Sequence, residues 1–417
     1  EIDATNAAEE PPPLSLYFHL PFCESVCFFC GCNVTFTSDR TRPAGYTDVL
    51  IREMDMVVPR LRPGRPVAQL HWGGGTPTFF SPPQLEALFG AIRERFVFAA
   101  DAEIGIEIDP RETTPGHFDV LARCQFNRLS MGVQDFDPKV QQAVNRIQPE
   151  TLTRDTIQTA RDKGFTSISV DLIYGLPHQT EATFAKTLEA ILRLNPDRIA
   201  LFNFAYLPKQ IRHQKAIDAA AMPSPKEKLA ILRRAIADFT AAGYRFIGMD
   251  HFAKPDDPMC LAQDAGTLYR NFQGYTTHAG CDLYAFGVSS ISSVGRTYAQ
   301  NDKDSRQYAA TIAGGQLAIR RGLPMTAEDV LRHEVIMRLM CDFALDMGAI
   351  GRRFGIDFPT HFAECLNALR PLQDDGLVSS SGNRIAVSPA GRLLIRNICM
   401  AFDEHLPKTH AQFSRTV

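Results

Sequence analysis

The sequence predicts an α/β protein: six strands alternating with helices in a partial (β/α)6 barrel, followed by a mostly helical, winged-helix-like cap domain. Three observations carry this. Between residues 14 and 222, short runs rich in β-branched and aromatic residues alternate with longer stretches of helical periodicity. Each short run ends on an unusual group of Cys, Gly, Asp, Gln or Asn, where a parallel βα layout places its reactive loops. After residue 222 the alternation stops, and from Met325 the chain reads as helical and then as a two-stranded hairpin.

Residues 1–13 are acidic and Ala/Pro-rich, carry no apolar signal core and read as a flexible N-terminal remnant. Lacking an initiator Met, the numbered chain is expected to be a fragment or a processed form. Strands are expected at Leu14–Leu20, Val67–Trp72, Glu103–Ile108, Asn127–Val133, Ser167–Ile173 and Arg198–Phe204. Helices are expected between them at Tyr46–Val58, Pro82–Phe96, Gly116–Arg123, Glu150–Lys163 and Thr183–Leu194. Successive right-handed crossovers curl such a sheet toward a full or partial barrel over residues 14–222. Residues 223–324 read as a barrel extension with substrate-side loops: a helix at Lys226–Ala242, then Tyr244–Met249, Asp250-His251-Phe252-Ala253 and loops at Asn271–Thr277 and Phe286–Ser293. Over residues 325–417, helices lead into Gly376-Leu377-Val378 and Arg384–Val387 around a Ser/Gly/Asn turn, the pattern of a winged helix. Without a clear basic face, this region is expected to cap the barrel rather than read nucleic acid.

At 417 residues, 45% hydrophobic and 22% charged, the chain has the composition of an ordinary globular protein. A net charge of −3 supplies no global field for nucleic acid or an anionic membrane. No apolar run reaches the roughly 20 residues of a membrane span. Ten cysteines admit a secreted, disulfide-bonded protein as an alternative. Four crowded into residues 23–32 of so long a chain favour metal ligation in a reducing, cytoplasmic setting.

Those four are Cys23, Cys27, Cys30 and Cys32. The spacing of the first three suits thiolate ligands around a cubane iron–sulfur cluster, leaving one iron open to a substrate or cofactor. Zinc is the alternative; it needs a fourth ligand, no second CxxC or HxxxH pair is present, and His19 is the candidate. Cys32 breaks the spacing and reads either as a nearby functional thiol or as a small buried residue. Gly73-Gly74-Gly75-Thr76 can bring backbone polar groups close to a ligand, and without GxxxxGK[ST] it is not a phosphate cradle. Glu107, Asp109, Gln134, Arg146 and Asp171 suit ribose hydroxyls, an ammonium or, for Arg146, a carboxylate; a salt-bridge network at the barrel mouth is the alternative. Tyr17 and His19 share the inward face of the first strand, which leaves core packing and a functional role both open.

Long runs narrow the reading. With YFHLPFCESVCFFCGCN, QLHWGGGTPT, IEIDPRE, FNRLSMGVQDF, VNRIQ, DLIYGLPHQT, FIGMDHFAKPDD, NFQGYTT and GRLLIRNICM, the chain resembles the oxygen-independent coproporphyrinogen III oxidases of the radical S-adenosylmethionine (SAM) superfamily, from Leu14 to about Val417. CxxxCxxC alone is shared across that superfamily; Cys32, in CxxxCxxCGC, sets the chain apart from the related haem-chaperone branch. The resemblance implies a radical SAM barrel, a [4Fe-4S] cluster on Cys23, Cys27 and Cys30, and two SAM molecules. It assigns Tyr17, Gly74, Glu107 and Ile291 to the first SAM. Phe29, Gly75, Thr76, Gln134, Arg146, Asp171 and Ala205 go to the second, and Cys32, Tyr17 and His19 stand as candidate catalytic groups.

The implied reaction converts two propionates of coproporphyrinogen III to the vinyl groups of protoporphyrinogen IX through a 5′-deoxyadenosyl radical, with arginines at the barrel mouth as candidate partners of the substrate carboxylates. The implied partners are that substrate and a low-potential, flavodoxin-like electron donor, with no nucleic acid and no membrane, for a cytoplasmic monomer. The alternatives are a haem-binding or haem-chaperone homologue without turnover, and a structural zinc module with a winged-helix role. The family carries a longer segment before its first strand, thought to close over the substrate, where residues 1–13 stand here. No family detail is carried onto His278-Ala279-Gly280-Cys281.

Overall fold

The computed structural model describes residues 1–406; residues 407–417, the end of the expected cap, lie outside the described residues. The chain divides into two compact units. One comprises residues 1–242 with 280–324, the other residues 243–279 with the chain from Met325 onward. The expected extension at 223–324 is thus shared between them. The reason is packing: Ile247, Cys260, Leu268 and Tyr275 share one apolar core with Cys341 of the C-terminal region.

In the first unit, β1 (Leu14–Leu20), β2 (Val67–Gly74), β3 (Phe98–Ile108), β4 (Arg128–Gln134), β5 (Ser167–Tyr174) and β6 (Arg198–Asn203) lie side by side in chain order. Every adjacent pair is parallel. This is the mixed α/β architecture the alternating pattern predicts. On the free side of β1 the expected extension adds strands of its own. β7 (Asp282–Phe286) pairs with β1 in parallel, and β8 (Ile291–Val294), β9 (Thr297–Asn301) and β10 (Ile319–Pro324) continue the sheet antiparallel. Stacking of Phe18 on Phe286, ring centroids 5.0 Å apart, buries this junction.

Helices α1 (Arg42–Val57), α2 (Pro82–Arg93), α3 (Pro115–Arg123), α4 (Glu150–Asp162) and α5 (Glu181–Leu194) fall between the strands. Their ends follow local chemistry. Ser81 and Gln84 form a capping box at α2 with Pro in its first turn, and Asn195, left-handed at φ 51°, ends α5. Along α5, Phe184, Leu188 and Ile191 make one buried stripe at helical spacing. Strand alternation sends Leu14, Leu16, Phe18 and Leu20 outward beneath the helices and Ser15, Tyr17 and His19 into the barrel. The innermost layer at the strand N-termini is a closed polar chain: Ser15 donates to Gln69 (2.9 Å), Gln69 to Glu103 (2.7 Å), and Arg128 pairs with Glu103 (2.6 Å).

Residues 1–13, expected as a flexible remnant, are tied down. Ile2–Asn6 is helical, the Asn6 amide donates to the Arg60 carbonyl (2.6 Å), and Arg65 donates to the Pro12 carbonyl (2.7 Å) while pairing with buried Asp282 (2.6 Å).

In the second unit, α6 (Ala327–Asp342) opens on a Thr326/Asp329 capping box. Strands Ala344–Asp346, Val378–Ser381 and Arg384–Val387 form an antiparallel sheet with the last in the centre, the expected wing plus one strand. Val335, Leu339, Phe362, Leu369, Ile385, Ile398 and Phe402 fill its core. No helix among the described residues is long and apolar enough to cross a membrane.

One buried carboxyl fastens α1 to the added strands. Glu53 accepts from the Gly287 N–H (2.8 Å), the Asn301 amide (2.6 Å) and the Tyr308 hydroxyl (2.5 Å). Burial pushes it up to about 7 despite these bonds. In the unfolded chain the group ionises near pH 4.3. The folded state therefore holds a proton that the unfolded state has lost, and stability falls as pH rises from about 4 through 7. Glu53→Gln cannot ionise. The stability of wild type relative to this variant is expected to drop by roughly 3 kcal/mol across that window, read from denaturant midpoints at several pH values. A difference that does not change with pH would refute the burial argument.

Candidate active site

The cysteine loop leaves β1 through Pro21 and is closed by a two-residue parallel bridge, Phe22–Cys23 on Thr35–Phe36. Its backbone is held from several sides. Val144 O accepts from Phe28 N (3.0 Å), the Asn145 amide donates to Val26 O (2.8 Å), His213 Nε2 donates to Cys30 O (2.6 Å), and Gln214 donates to Phe29 O (3.3 Å). Every sulfur of the CxxxCxxC triplet has a polar neighbour. Thr76 Oγ1 lies 3.4 Å from Cys23, the Cys32 N–H donates to Cys30 (3.4 Å), and Cys27 accepts from Arg111 (3.4 Å) and Arg146 (3.6 Å). A hydrogen bond between the Cys32 and Cys30 thiols brings Cys30 down to about 6 and pushes Cys32 up, while burial pushes Cys23 up to about 12.

All ten cysteines are free, so the disulfide alternative fails. Among the described residues no three His, Cys, Asp or Glu side chains are grouped closely enough to hold a metal ion. His19, the candidate fourth ligand to zinc, is engaged at both ring nitrogens: Nε2 donates to Asn33 O (2.8 Å) and Nδ1 accepts from the Tyr17 hydroxyl (3.1 Å). Burial lowers its pKa and keeps it neutral in this arrangement. A cubane spreads its thiolates over separate irons, so three sulfurs on one wall of a cleft, met by cationic and hydroxyl donors, fit a cluster in kind.

The glycine turn after β2 is required by three close approaches. A Cβ on Gly73 would lie 2.8 Å from the Glu107 carboxyl carbon, on Gly74 2.6 Å from the His19 ring, and on Gly75 2.7 Å from the Pro21 carbonyl carbon. Gly74 also sits at φ +112°, which side chains rarely adopt. Glu107 accepts from Gly74 N (3.3 Å) and contacts His71 Nε2 (3.2 Å), whose ring stacks on Tyr17. Burial works against the Glu107 charge, but His71 and the Gly74 N–H outweigh it and hold the carboxyl below its ordinary range. The side chain is 46% accessible, so this carboxylate is surrounded by protein yet open to the cleft. Asp171 behaves oppositely: burial and the Glu107 charge push it up to about 7.

Across the cleft, Asp109 gathers two arginines. Arg111 binds it through Nε (3.0 Å) and Nη2 (2.7 Å), and Arg146 through Nη1 (3.0 Å) while also reaching Gly132 O (2.6 Å). Burial pushes Asp109 up, yet Arg146 and Arg111 hold it low. Gln134 sits at φ +68°, and its Oε1 and Arg146 Nε are buried without partners in the cleft wall. Such orphans mark places for a ligand's polar atoms.

One cleft brings together Cys23, Cys27, Cys30, Cys32, Phe29, Gly74, Gly75, Thr76, Glu107, Gln134, Arg146 and Asp171. Tyr17 and His19 stand immediately behind it through Glu107, His71 and Gly74. The Ala205 carbonyl takes the same Gln214 amide that holds Phe29 (3.0 Å), at the flank of the loop. Ile291 opens β8 opposite Gln300 and is not among the lining residues. The sequence reading did not single out His71, Ser130 or Gly132, and it had Arg111 only as part of a strand-end group. The need for glycine at 132 is tertiary: a Cβ there would lie 2.5 Å from Gln134 Nε2.

Residues 17–191 match the radical SAM superfamily, and residues 325–394 match the HemN C-terminal domain. The oxygen-independent coproporphyrinogen III oxidase of Pseudomonas aeruginosa is 48% identical over 408 residues, covering 97% of this chain and 89% of the relative. That of Escherichia coli is 49% identical over 407 residues with the same coverage, 97% and 89%. A solved structure, coproporphyrinogen III oxidase from Escherichia coli, described as a radical SAM enzyme, matches with a TM-score of 0.94 and 48% identity over 97% of this chain and 93% of that one. The chain belongs to the oxygen-independent coproporphyrinogen III oxidase family of the radical SAM superfamily.

Proposed function

We propose that this protein decarboxylates two propionates of coproporphyrinogen III oxidatively, giving the vinyl groups of protoporphyrinogen IX. The observation that carries this is the single cleft in which the CxxxCxxC sulfurs face the Gly73–Thr76 turn and the Glu107, Asp171 and Arg146 charges, in a chain similar over 97% of its length to enzymes of that name. When bound, a [4Fe-4S] cluster and SAM supply the 5′-deoxyadenosyl radical that removes a hydrogen atom from the propionate β-carbon, before CO2 and one electron leave.

The residues divide that work. Cys23, Cys27 and Cys30 would hold the cluster, and its electron would serve to cleave SAM. Glu107, held ionised and open to the cleft, receives a cationic or hydroxyl group of the first SAM, with Gly74 beside it in the cleft wall. The second SAM falls to Phe29, Gly75, Thr76, Gln134, Arg146, Asp171 and Ala205; the unpartnered Gln134 Oε1 and Arg146 Nε support this. Tyr17 and His19 act by orienting His71 and the glycine turn, and Cys32 by its N–H on Cys30. A low-potential, flavodoxin-like donor supplies the electron, to a cytoplasmic monomer.

An anaerobic assay with SAM, a reductant and coproporphyrinogen III tests the whole reading. Vinyl product with 5′-deoxyadenosine is expected; tight haem binding without turnover would favour a haem-chaperone role. Cys27→Ser, reconstituted anaerobically, is expected to lose the brown cluster absorbance and all decarboxylation, and retained activity would sink the ligand assignment. Gly75→Ala should cost most of the SAM affinity, because the new Cβ meets backbone at Pro21 and Phe22, which cannot swing away. Equilibrium dialysis with SAM reads this out, and wild-type binding would show the turn to be tolerant.

The Asp171 carboxyl, up at about 7, gives SAM binding a pH dependence. Cationic SAM prefers the ionised form, so its affinity should rise roughly ten-fold between pH 6 and 8. Asp171→Asn should flatten that profile; an unchanged slope would remove Asp171 from the SAM site.

A further inference from the structure

We propose that Arg111 tunes the cluster: by donating to Cys27 Sγ it raises the reduction potential of the iron–sulfur group and so favours its one-electron reduced form. This rests on Cys23, Cys27 and Cys30 being the cluster ligands.

The geometry is specific. Arg111 lies two residues beyond Asp109, just past the end of β3. Its backbone N–H (3.0 Å), Nε (3.0 Å) and Nη2 (2.7 Å) all bind the Asp109 carboxylate, which fixes the guanidinium plane. From that fixed plane Nη2 also reaches Cys27 Sγ at 3.4 Å, across 84 positions of sequence. The guanidinium fork is pre-organised, so little freedom is lost in making the sulfur contact. Arg146 approaches the same sulfur at 3.6 Å, but its other amino group is committed to Gly132 O at 2.6 Å. Asp109 does not need Arg111 in order to be neutralised, since Arg146 already pairs with it at 3.0 Å. Asp109 therefore has one more cation than it requires, and the extra one points at sulfur.

A thiolate bound to iron keeps lone pairs that accept N–H donors. Reduction adds one negative charge, spread partly onto the sulfurs. A cation and a hydrogen bond at a sulfur stabilise that form more than the oxidised one, which raises the potential. An Asp109–Arg111 pair serving only to shape the loop would leave the potential where it is.

The test is an EPR-monitored redox titration of anaerobically reconstituted wild type, Arg111→Gln and Asp109→Asn, each with iron and sulfide counted. Arg111→Gln is expected to lower the midpoint so that, at a fixed solution potential, the reduced-to-oxidised ratio falls about tenfold, which is 59 mV for a one-electron couple. Asp109→Asn removes the neighbouring negative charge, keeps both guanidinium groups and should shift the midpoint upward. A fully loaded Arg111→Gln protein with the wild-type midpoint overturns the proposal. If Arg111→Gln does not load iron, Asp109→Asn decides, and an unchanged or lowered midpoint there overturns it too. A wild-type protein that takes up no cluster sinks the ligand assignment and this inference together, whereas a wild-type cluster with unshifted variants sinks this inference alone.

Discussion

The mouth of the barrel depends on how closely the backbone after β2 approaches the chain leaving β1. Gly75 N donates to Leu20 O (2.9 Å) and Thr76 N to Phe22 O (2.8 Å), so the glycine turn and the start of the cysteine loop are stitched together by backbone hydrogen bonds. No side chain fits between them. This contact sets Cys23 beside Thr76 and, through Gly74, sets His19 against the turn. It explains why the Gly run and the Cys run, separated by some forty residues, behave as one structural piece.

Charge is the second organising element. The cleft holds acidic Glu107, Asp109 and Asp171 with basic Arg111 and Arg146, and each is treated differently. Asp109 is saturated by arginines. Glu107 keeps its charge through His71 and a backbone N–H, and remains open to the cleft. Asp171 accepts from the Ser130 hydroxyl at 3.4 Å and faces the field of Glu107, which with burial outweighs the distant Arg146 charge and leaves it short of a cation. Cationic SAM would satisfy that deficit, which gives the acidic side of the cleft a chemical reason to exist.

Much of this was legible in the sequence, and the rest was hidden for physical reasons. The β1–β6 order, the five intervening helices and the strand-end motifs follow from local patterns, because a parallel strand buried on both faces reads as a short apolar run. β7 did not, since its pairing with β1 joins residues far apart in the chain and nothing local marks Asp282–Phe286 as a partner for Leu14–Phe18. Tethering of residues 1–13 escaped for the same reason: its anchors, Arg65 and Arg60, lie beyond the local window. Residues with unusual local chemistry, Cys23, Cys27, Cys30, Gly74, Gly75 and Glu107, stand out in the sequence and line one cleft in the structure. Arg111 was visible as part of a strand end, but its contact with Cys27 is a tertiary fact.

The barrel interior also shows why composition alone would not have located the chemistry. Two polar layers line it. The lower one, Ser15–Gln69–Glu103–Arg128, is a closed network: burial works against the Glu103 charge, yet Arg128 outweighs it and takes the carboxyl down to about 2. The upper one, Tyr17–His71–Glu107 with Asp171, Gln134 and Arg146, contains a carboxyl raised to about 7 and two orphaned polar atoms. Both layers bury carboxylates and both would score alike in a count of polar residues. Only the lower satisfies itself, and a satisfied network adds rigidity and nothing to bind. The upper is left short of a cation and of partners at the open end of the strands, so its remaining hydrogen bonds must come from whatever enters the cleft.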